Sequence, residues 1–182
     1  MQVIEDAKLA TGRVEGAGGG WVRFTIRDYQ PEDFTRLWEI DQLCFAPGIS
    51  YSRYELSFYI RRRNTFTLIA ETEDADDVSH KIRGFVVAEA GRDHTGHVIT
   101  IDVLSEARKQ GLGSLLLQNG ERRMQAAGCN VVTLETAVDN AAAVAFYKRH
   151  NYDVIETIPR YYSNGVDALV LEKNLLQVGA SG

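Results

Sequence analysis

The segment 106–114, EARKQGLGS, joins two strongly patterned stretches of the chain. Before it lies HVITIDVL, an aliphatic run typical of a strand buried on both faces at the centre of a sheet. After it comes a helical pattern over about residues 111–127, with leucines near its start. A buried strand that turns through glycines into an apolar helix restricts the chain to an α/β architecture.

The remaining patterns extend this architecture in both directions. WVRFTIRDY alternates like a half-buried strand, Pro31 suits the first turn of a helix, and SRYE is a capping box that opens a second helix. TFTLIAE, RGFVVAEA and CNVVTLET indicate strands, NAAAVAFYKRH indicates a helix, and YDVIETIPRYY and DALVLEKNL, separated by SNG, indicate a closing antiparallel pair. The sequence therefore predicts a mixed central sheet of about seven strands flanked by about four helices.

The length of 182 residues suits one domain with a sizeable core. Residues 1–20 end in GRVEGAGGG and show no sustained periodicity, which predicts a flexible N-terminal arm. We expect the folded domain over residues 21–176 and a short tail over 177–182. The acidic, polar stretch from Thr72 to Lys81 is expected to be a solvated hairpin connection.

Composition excludes several functional classes. A net charge of -5 argues against nucleic acid as the main partner, because phosphate binding requires clustered Lys and Arg. Cys44 and Cys129 form neither a metal-ligand spacing nor a disulfide framework. His94 and His97 are interpreted as loop residues, so no metal site is predicted. With neither a membrane-spanning run nor a secretory pattern, the chain is predicted to be cytoplasmic and not membrane-bound.

The glycine turn itself suggests a phosphate site. The first N–H groups of a helix have no partner inside it, and glycines allow an anion to approach them closely. Arg108 and Lys109 add positive charge beside the turn. A Walker loop would need a Gly-Lys-Ser/Thr ending, and a dinucleotide site would need a third glycine where Leu116 stands. A turn used only for packing remains the alternative.

The motif Arg108-x-x-Gly111-x-Gly113 resembles the acetyl-CoA loop of the GNAT acetyltransferases. The resemblance extends over most of residues 82–175 through Leu-Glu-Thr, Asn-Ala-Ala-Ala, Phe-Tyr and Arg-Tyr-Tyr. This combination is most similar to the RimI-type and archaeal N-terminal protein acetyltransferases. The resemblance implies the GNAT fold, acetyl-CoA as cofactor with CoA as product, and a monomer or weak homodimer.

The same resemblance assigns the cofactor contacts. The backbone of Ile101, Asp102 and Val103 is expected to diverge from the neighbouring strand and to pair with the pantetheine amides, and the Val103 N–H to polarise the thioester carbonyl. Asn140 is also a strong N-cap candidate from its position before three alanines. The full expected set is Ile101, Asp102, Val103, Arg108, Lys109, Gln110, Gly111, Leu112, Gly113, Ser114, Asn140, Ala143 and Tyr147.

Two residues are expected to move protons. Glu135 ends a strand, and the resemblance makes it the general base, acting directly or through water. Alternatively, Glu135 is a polar residue at a strand end that meets solvent or pairs with an arginine. Tyr147 is implied as the acid that protonates the departing thiolate, although it could also be an aromatic that packs on the sheet. Direct attack by an amine is expected, because no cysteine or serine is placed as a nucleophile.

The implied acceptor is a protein N-terminal α-amine, with a ribosomal protein as the leading guess. Phe45 and Pro47 are expected to form one wall of the peptide site, and Tyr161 and Tyr162 the other. The chain departs from the family at Gly48, where some relatives carry tryptophan nearby, and at Asn151, which can adopt a left-handed helix end. A small-molecule amine or lysine acceptor and a non-catalytic acyl-CoA sensor stay open as alternatives.

Overall fold

The computed structural model describes residues 11–15, 21–72 and 81–177. Within these residues one sheet contains eight strands: β1 (Thr11–Glu15), β2 (Trp21–Asp28), β3 (Thr65–Thr72), β4 (Ile82–Ala90), β5 (Thr95–Val103), β6 (Val131–Ala137), β7 (Asp153–Ile158) and β8 (Ala168–Asn174). The α-helices of the described part are α1 (Phe34–Cys44), α2 (Arg53–Arg61), α3 (Leu112–Ala126) and α4 (Ala141–Arg149). The predicted α/β fold, with its seven strands and four helices, is confirmed, and β1 is an addition to it.

The strand β1 corrects part of the arm prediction. Its five residues pair antiparallel with β2, from Thr11 opposite Thr25 to Glu15 opposite Trp21. Backbone pairing at the open edge of β2 forms this strand, so its own side-chain pattern gives little signal. The glycine-rich stretch 16–20 and residues 1–10 lie outside the described part of the chain, as do most of the acidic connection (73–80) and most of the tail (178–182).

The sheet order is β1-β2-β3-β4-β5-β6-β8-β7, and its core lies in two layers. Leu116, Leu117 and Met124 of α3 and Tyr147 of α4 pack on one face. Leu37 and Ile40 of α1 and Leu56 of α2 pack on the other. The apolar faces of the helices therefore cover both sides of the sheet, which places β5 at its buried centre as predicted.

The pairing of β5 and β6 is the feature that positions the site. These two strands run parallel, whereas every other neighbouring pair described is antiparallel. Their register runs from Thr95 opposite Val131 to Val98 opposite Leu134 and then stops, although β5 continues to Val103 and β6 to Ala137. The strands thus separate, and we call the resulting opening the split.

A bulge in β5 sets which side chains face each layer. Ala88 pairs with Val98 and Val87 pairs with Thr100, so Ile99 is the extra residue. An inserted residue reverses the alternation of side chains beyond it. Val98 and Ile101 therefore both contact the α3 layer, which simple alternation along the strand would not allow.

The last two strands are joined by a longer loop than the sequence suggested. β7 ends at Ile158 and β8 begins at Ala168, so the connection spans residues 159–167 rather than SNG alone. Arg160 adopts a left-handed φ of 53°, and its N–H donates to Asp167 Oδ1 at 2.7 Å. These local contacts hold the Arg-Tyr-Tyr segment outside the ladder as a structured loop. No helix in the described ranges is long and apolar enough to cross a membrane.

Candidate active site

The glycine turn leads into α3, and no capping side chain binds the first backbone N–H groups of this helix. Gly111 is the residue before α3 and has a left-handed φ of 78°, a conformation that costs a residue without Cβ little. The first helical hydrogen bond runs from Leu115 N–H to the Gly111 carbonyl. The N–H groups of Leu112, Gly113 and Ser114 precede it and lack a capping side chain from Gly111. The turn can therefore hold an anion, and the macrodipole of α3 favours one there.

Side-chain hydrogen bonds from the residues before the glycines stabilise the turn. Arg108 Nε donates to the Val103 carbonyl at 2.8 Å, and Gln110 Nε2 donates to the Glu106 carbonyl at 2.7 Å. Lys109 adopts a φ of 60°, which reverses the chain direction before the helix. Arg108 thus joins the end of β5 to the turn while its exposed side chain keeps positive charge beside the helix start.

Gly113 and Ser114 meet the C-terminal part of α4. A Cβ at Gly113 would lie 3.4 Å from the Phe146 ring, an ordinary van der Waals distance, so Gly113 of α3 packs beside Phe146. Ser114 Oγ and His150 Nε2 lie 2.8 Å apart, and the His150 ring packs on Phe146 with 4.7 Å between ring centroids. Asn151 has the left-handed φ of 64° that the sequence allowed for it.

Asn140 caps α4, as its position suggested. Its Oδ1 accepts a hydrogen bond from the Ala143 N–H at 3.1 Å, which satisfies one of the free donors of the helix start. Ala143 is half-buried and packs against the α3-side core.

Ile101 and Val103 direct their backbone groups into the split. Leu104 N–H donates to the Arg83 carbonyl, which makes Arg83/Leu104 a hydrogen-bonded pair of the antiparallel β4–β5 ladder. Such pairs alternate along a ladder, so Ile101 and Val103 belong to the non-hydrogen-bonded type and turn their N–H and C=O groups away from β4. Those groups face the side where β6 has diverged, although the Val103 carbonyl already accepts hydrogen bonds from Arg108 Nε and Cys44 Sγ. Asp102 belongs to the hydrogen-bonded type and turns its backbone towards β4, which differs from the expectation for this residue.

Glu135 is paired with a histidine. Its Oε2 lies 2.7 Å from His97 Nε2, and both side chains are partly exposed, His97 by 35% and Glu135 by 21%. His97 stands opposite Thr133 in the β5–β6 register, so Glu135, two residues further on, shares its face of the sheet. The pair lies where the register ends, at the start of the split.

His97 is the functional candidate that the sequence analysis missed. Its interpretation as a loop residue is wrong, because it lies inside β5, whereas His94 is an exposed bend residue whose Nδ1 lies 2.8 Å from the Gly128 carbonyl. Alternation of His97 with Gly96 and Val98 on a strand adjacent to the Glu135 strand was the available signal. No cluster of three His, Cys, Asp or Glu side chains suited to a metal occurs in the described part of the chain.

Tyr147 is buried in α4, with 9% of its surface exposed. Its ring packs edge-on against Phe146 and Tyr152, with 5.1 and 5.6 Å between centroids. Burial, with smaller contributions from Asp102 and Tyr162, raises the pKa of the Tyr147 phenol well above its usual range. The phenol therefore keeps its proton at neutral pH, which is compatible with both a packing role and the predicted acid role.

Tyr162 connects the two proton-transfer candidates electrostatically. Burial, then the neighbouring Tyr161 and the charge of Glu135, raise the pKa of Tyr162 to about 12. The same phenol also acts on Tyr147. Glu135, Tyr147 and Tyr162 therefore converge on one region, although they come from a strand, a helix and a loop.

The two predicted acceptor walls touch each other. Ser163 Oγ, next to Tyr162, donates to the Gly48 carbonyl at 2.9 Å, and Gly48 lies next to Pro47. A Cβ at Gly48 would lie 3.1 Å from Asn164 Cβ, so the contact is close on both sides. Phe45 is half-buried at the end of α1, whereas Tyr161 is 48% exposed.

Tyr51 and Tyr59 complete the aromatic surroundings, and the sequence analysis did not select them. Their rings lie 5.2 Å apart, and Tyr51 OH donates to the Ile99 carbonyl at 3.4 Å, at the bulge of β5. Burial raises the pKa of Tyr51 above its usual range, with Tyr161, Tyr162 and Asp102 among the groups that add to the shift. Both tyrosines therefore lie near Tyr161, which was predicted to form part of one acceptor wall.

Cys44 lies against the end of β5, but its thiol is not activated as a nucleophile. Its Sγ donates to the Val103 carbonyl at 3.4 Å. Burial raises the pKa of this thiol to about 11, and the charge of Asp102 adds to the shift. A thiol that stays protonated at neutral pH is a poor nucleophile. The arrangement therefore favours direct attack by an amine.

Three features together suit an acyl-CoA thioester and an amine: a helix start open to an anion, two strands that separate with backbone groups of β5 turned into the opening, and a carboxylate where the strands begin to separate. The sequence matches the Acetyltransferase (GNAT) family over residues 20–152. The chain belongs to this family. The predicted enzyme class, an acetyl-CoA-dependent N-acetyltransferase, is thereby confirmed.

Relatives and solved structures agree with this assignment. An uncharacterized N-acetyltransferase of Methanocaldococcus jannaschii, MJ1530, is 30% identical over 149 residues, which cover 81% of this chain and 90% of that protein. N-alpha-acetyltransferase 30 of Schizosaccharomyces pombe is 30% identical over 122 residues, 65% of this chain and 77% of that protein. Ard1 from Thermoplasma volcanium has the same fold, with a TM-score of 0.73 at 21% identity over 83% of this chain and 97% of its own. The ribosomal-protein-S18-alanine N-acetyltransferase of Escherichia coli has a TM-score of 0.71 at 20% identity over 83% and 93% of the two chains.

Proposed function

We propose that the protein transfers the acetyl group of acetyl-CoA directly to the N-terminal α-amine of a polypeptide. Several relatives across most of the chain are named N-alpha-acetyltransferases, among them that of Saccharolobus solfataricus, 24% identical over 84% of this chain. A ribosomal protein as the acceptor remains a prediction, supported by the sequence motifs alone.

The contact between Ser163 and Gly48 is the observation that carries the acceptor class. A lysine within a peptide enters a site with chain continuing on both sides of it, and this requires a groove that is open at both ends. Here the two walls of the acceptor site are joined by a hydrogen bond of 2.9 Å. The end of a polypeptide chain can insert beneath the hydrogen bond that joins the walls, which favours an N-terminal α-amine as the acceptor.

Glu135 and His97 provide the proton acceptor. An α-amino group has a pKa near 8, so a modest base suffices to deprotonate it at neutral pH. The hydrogen bond of 2.7 Å orients both side chains at the fork, and their partial exposure leaves room for a bridging water. The amine proton passes to this pair, directly or through that water.

The donor supplies an activated acetyl thioester when it is bound. Val103 turns its N–H into the split, where it can stabilise the negative charge that develops on a carbonyl oxygen. Tyr147 holds its phenolic proton in a buried site and gives it up to a departing thiolate. The turn at Gly111 and the N–H groups of α3 hold the pyrophosphate.

The experiment measures thiol release from acetyl-CoA with a matched set of acceptors. One peptide has a free N-terminus and no lysine, a second has a blocked N-terminus and one internal lysine, and free lysine and a polyamine complete the set. Release with the first peptide only supports the proposal. Release with the lysine peptide or the small amines only refutes the acceptor assignment, and tight acetyl-CoA binding without any release favours an acyl-CoA sensor.

A further inference from the structure

The first turn of α3 is hydrogen-bonded to a histidine at the end of α4. Ser114 Oγ lies 2.8 Å from Nε2 of His150, the residue that follows α4. The His150 ring also packs on Phe146, with 4.7 Å between ring centroids, and its backbone N–H donates to the Tyr147 carbonyl at 2.9 Å. These contacts fix the imidazole beside the helix start, where the glycine turn can hold an anion.

The direction of the hydrogen bond between Ser114 and His150 decides what the serine offers to that anion. A serine hydroxyl has one hydrogen, and a neutral imidazole carries a proton on only one of its two nitrogens. When Nε2 lacks the proton, the Ser114 hydroxyl donates to it and presents only lone pairs to an anion. When Nε2 carries the proton, it donates to Ser114 Oγ, and the serine hydrogen is free to donate to the anion.

The surroundings of His150 carry an excess of positive charge. The ring lines a cavity of about 350 Å³ together with Glu121 and Arg122 of α3, Arg149 of α4 and Lys173 of β8. Glu121 is already paired with Lys173 at 2.7 Å. Burial, together with the charges of Lys173 and Arg149, lowers the pKa of His150 below its usual value, and the charge of Glu121 opposes this shift. Without a bound anion, the imidazole is therefore neutral at neutral pH.

We propose that His150 is a positioning residue for the cofactor turn, which takes up a proton when the pyrophosphate of acetyl-CoA binds and then holds the Ser114 hydroxyl as a donor to it. The proton comes from solvent, which reaches the cavity past the exposed Arg122 and Arg149. The imidazolium then donates from Nε2 to Ser114 Oγ and adds its positive charge beside the anion. This inference deepens the proposed function, because it rests on the pyrophosphate lying at the start of α3.

The expected effect of pH on cofactor affinity has a definite sign. A group whose pKa rises on binding favours the bound state while it is protonated, and this contribution is lost as the pH rises through the bound-state pKa. The contribution of His150 to the affinity for CoA should therefore grow as the pH falls from about 8 to about 6. The phosphate monoester of CoA also titrates near about pH 6, so variants that bind the same ligand supply the reference.

Two substitutions separate the hydrogen bond from the packing. His150→Phe keeps a ring that can pack on Phe146 and removes the partner of Ser114. At about pH 6.5 it should weaken CoA binding about tenfold, with a smaller loss at about pH 8. His150→Gln supplies Ser114 with a permanent neutral donor, so it should restore most of the lost affinity. His94→Gln changes an exposed histidine that contacts Gly128, beyond the end of α3, and should bind CoA like the native protein at every pH.

Nitrogen NMR of protein labelled at its histidines tests the proton directly. The chain has four histidines, and the signals that disappear in His150→Gln, or in His150→Phe if the first variant does not fold, identify His150. Without ligand, His150 should titrate below about pH 6.5. With saturating CoA, its pKa should rise by about one unit or more, with the proton on Nε2. An unchanged pKa, or an Nε2 without a proton in the complex, overturns the proposal.

Calorimetric titration with CoA in buffers of different ionisation enthalpy gives a second readout. At about pH 7, the native protein should take up more protons on binding than His150→Gln does, and equal uptake overturns the proposal. Neither measurement uses an acceptor amine, so a failure here is distinguishable from a failure of the α-amine assignment. Absence of any CoA binding would refute the proposed function itself and this inference with it.

Discussion

His97 Nε2 and Glu135 Oε2 lie 2.7 Å apart on neighbouring parallel strands, at the last point where those strands are paired. The contact places an imidazole and a carboxylate at the point where β5 and β6 begin to separate. Neither side chain is fully buried, so an amine or a water can reach the pair. The predicted general base, Glu135, therefore has a second titratable side chain within hydrogen-bond distance.

Glu135→Gln should reduce acceptor-dependent turnover by about 10²–10⁴-fold, because the amide cannot take the amine proton. His97→Phe should cause a loss of similar order, and the double variant should be little worse than the more damaged single variant. Thiol release measures all three, with Glu156→Gln, an exposed carboxyl on β7, as the control. Fully additive losses would show that the two residues act independently.

Tyr147→Phe should lower turnover by about 10²-fold and leave the affinity for acetyl-CoA nearly unchanged, because the ring keeps its packing and loses only its proton. Tyr152→Phe is the matched control, since Tyr152 is also buried and its OH donates to Glu121 Oε1 at 2.9 Å. That variant should lose about 1–3 kcal/mol of stability with little effect on turnover. Equal turnover in Tyr147→Phe and the native protein would restrict Tyr147 to a packing role.

Gly111→Ala should weaken acetyl-CoA binding by about tenfold, since a left-handed conformation costs a residue with a Cβ about 1–2 kcal/mol and the turn will shift to relieve it. Gly128→Ala carries similar strain, with a φ of 94°, after the end of α3 and away from the turn. Calorimetric titration with acetyl-CoA compares the affinities of the two variants. Weaker binding in Gly111→Ala alone shows that backbone strain matters only at the turn. If both variants bind equally well, the geometry of Gly111 does not matter for the cofactor.

Gly48→Ala should raise the KM for a peptide acceptor several-fold and leave acetyl-CoA affinity unchanged. The added Cβ would lie 3.1 Å from both Asn164 Cβ and Ser163 Oγ, which forces the two acceptor walls apart. Gly165→Ala has comparable strain, with a φ of 82°, but no heavy atom within 4 Å of its Cβ. Steady-state kinetics with one peptide compare the variants, and an equal rise in KM for both would mean that strain, rather than the contact, is responsible.

Lys173→Met should destabilise the fold by about 3–5 kcal/mol, because it leaves Glu121 buried without its cation. The pair is joined at 2.7 Å, and each side chain is 9% exposed. Adding Glu121→Gln should recover much of the loss, since the amide still accepts from Tyr152 and carries no charge. Urea unfolding measures the three proteins. Arg83→Met, which breaks a more exposed pair with Glu106 at 3.3 Å, should cost less than about 1 kcal/mol.

Local patterns were sufficient for most of the fold. Periodicity located the seven strands from β2 to β8 and the four helices, and Ser52 and Asn140 act as the caps that their positions indicated. These features depend on a few neighbouring residues, so they are readable from the chain itself. β1 was missed because it forms through backbone pairing with β2, to which its own side-chain pattern contributes little.

The turn at Gly111 was likewise visible in the sequence, because glycine spacing carries its signal locally. Glu135 lies on the strand that the sequence predicted but not at its end, since β6 continues to Ala137. The pairing of Glu135 with His97 depends on the register of two strands whose paired residues lie 36 positions apart in sequence. The bridge from Ser163 to Gly48 and the burial of Asp41 with Asp102 depend on packing between elements far apart along the chain. The sequence by itself determined the elements and the glycine turn. The pairing of Glu135 with His97, the bridge from Ser163 to Gly48 and the burial of Asp41 and Asp102 were decided only when the sheet register and the helix layers brought distant side chains together.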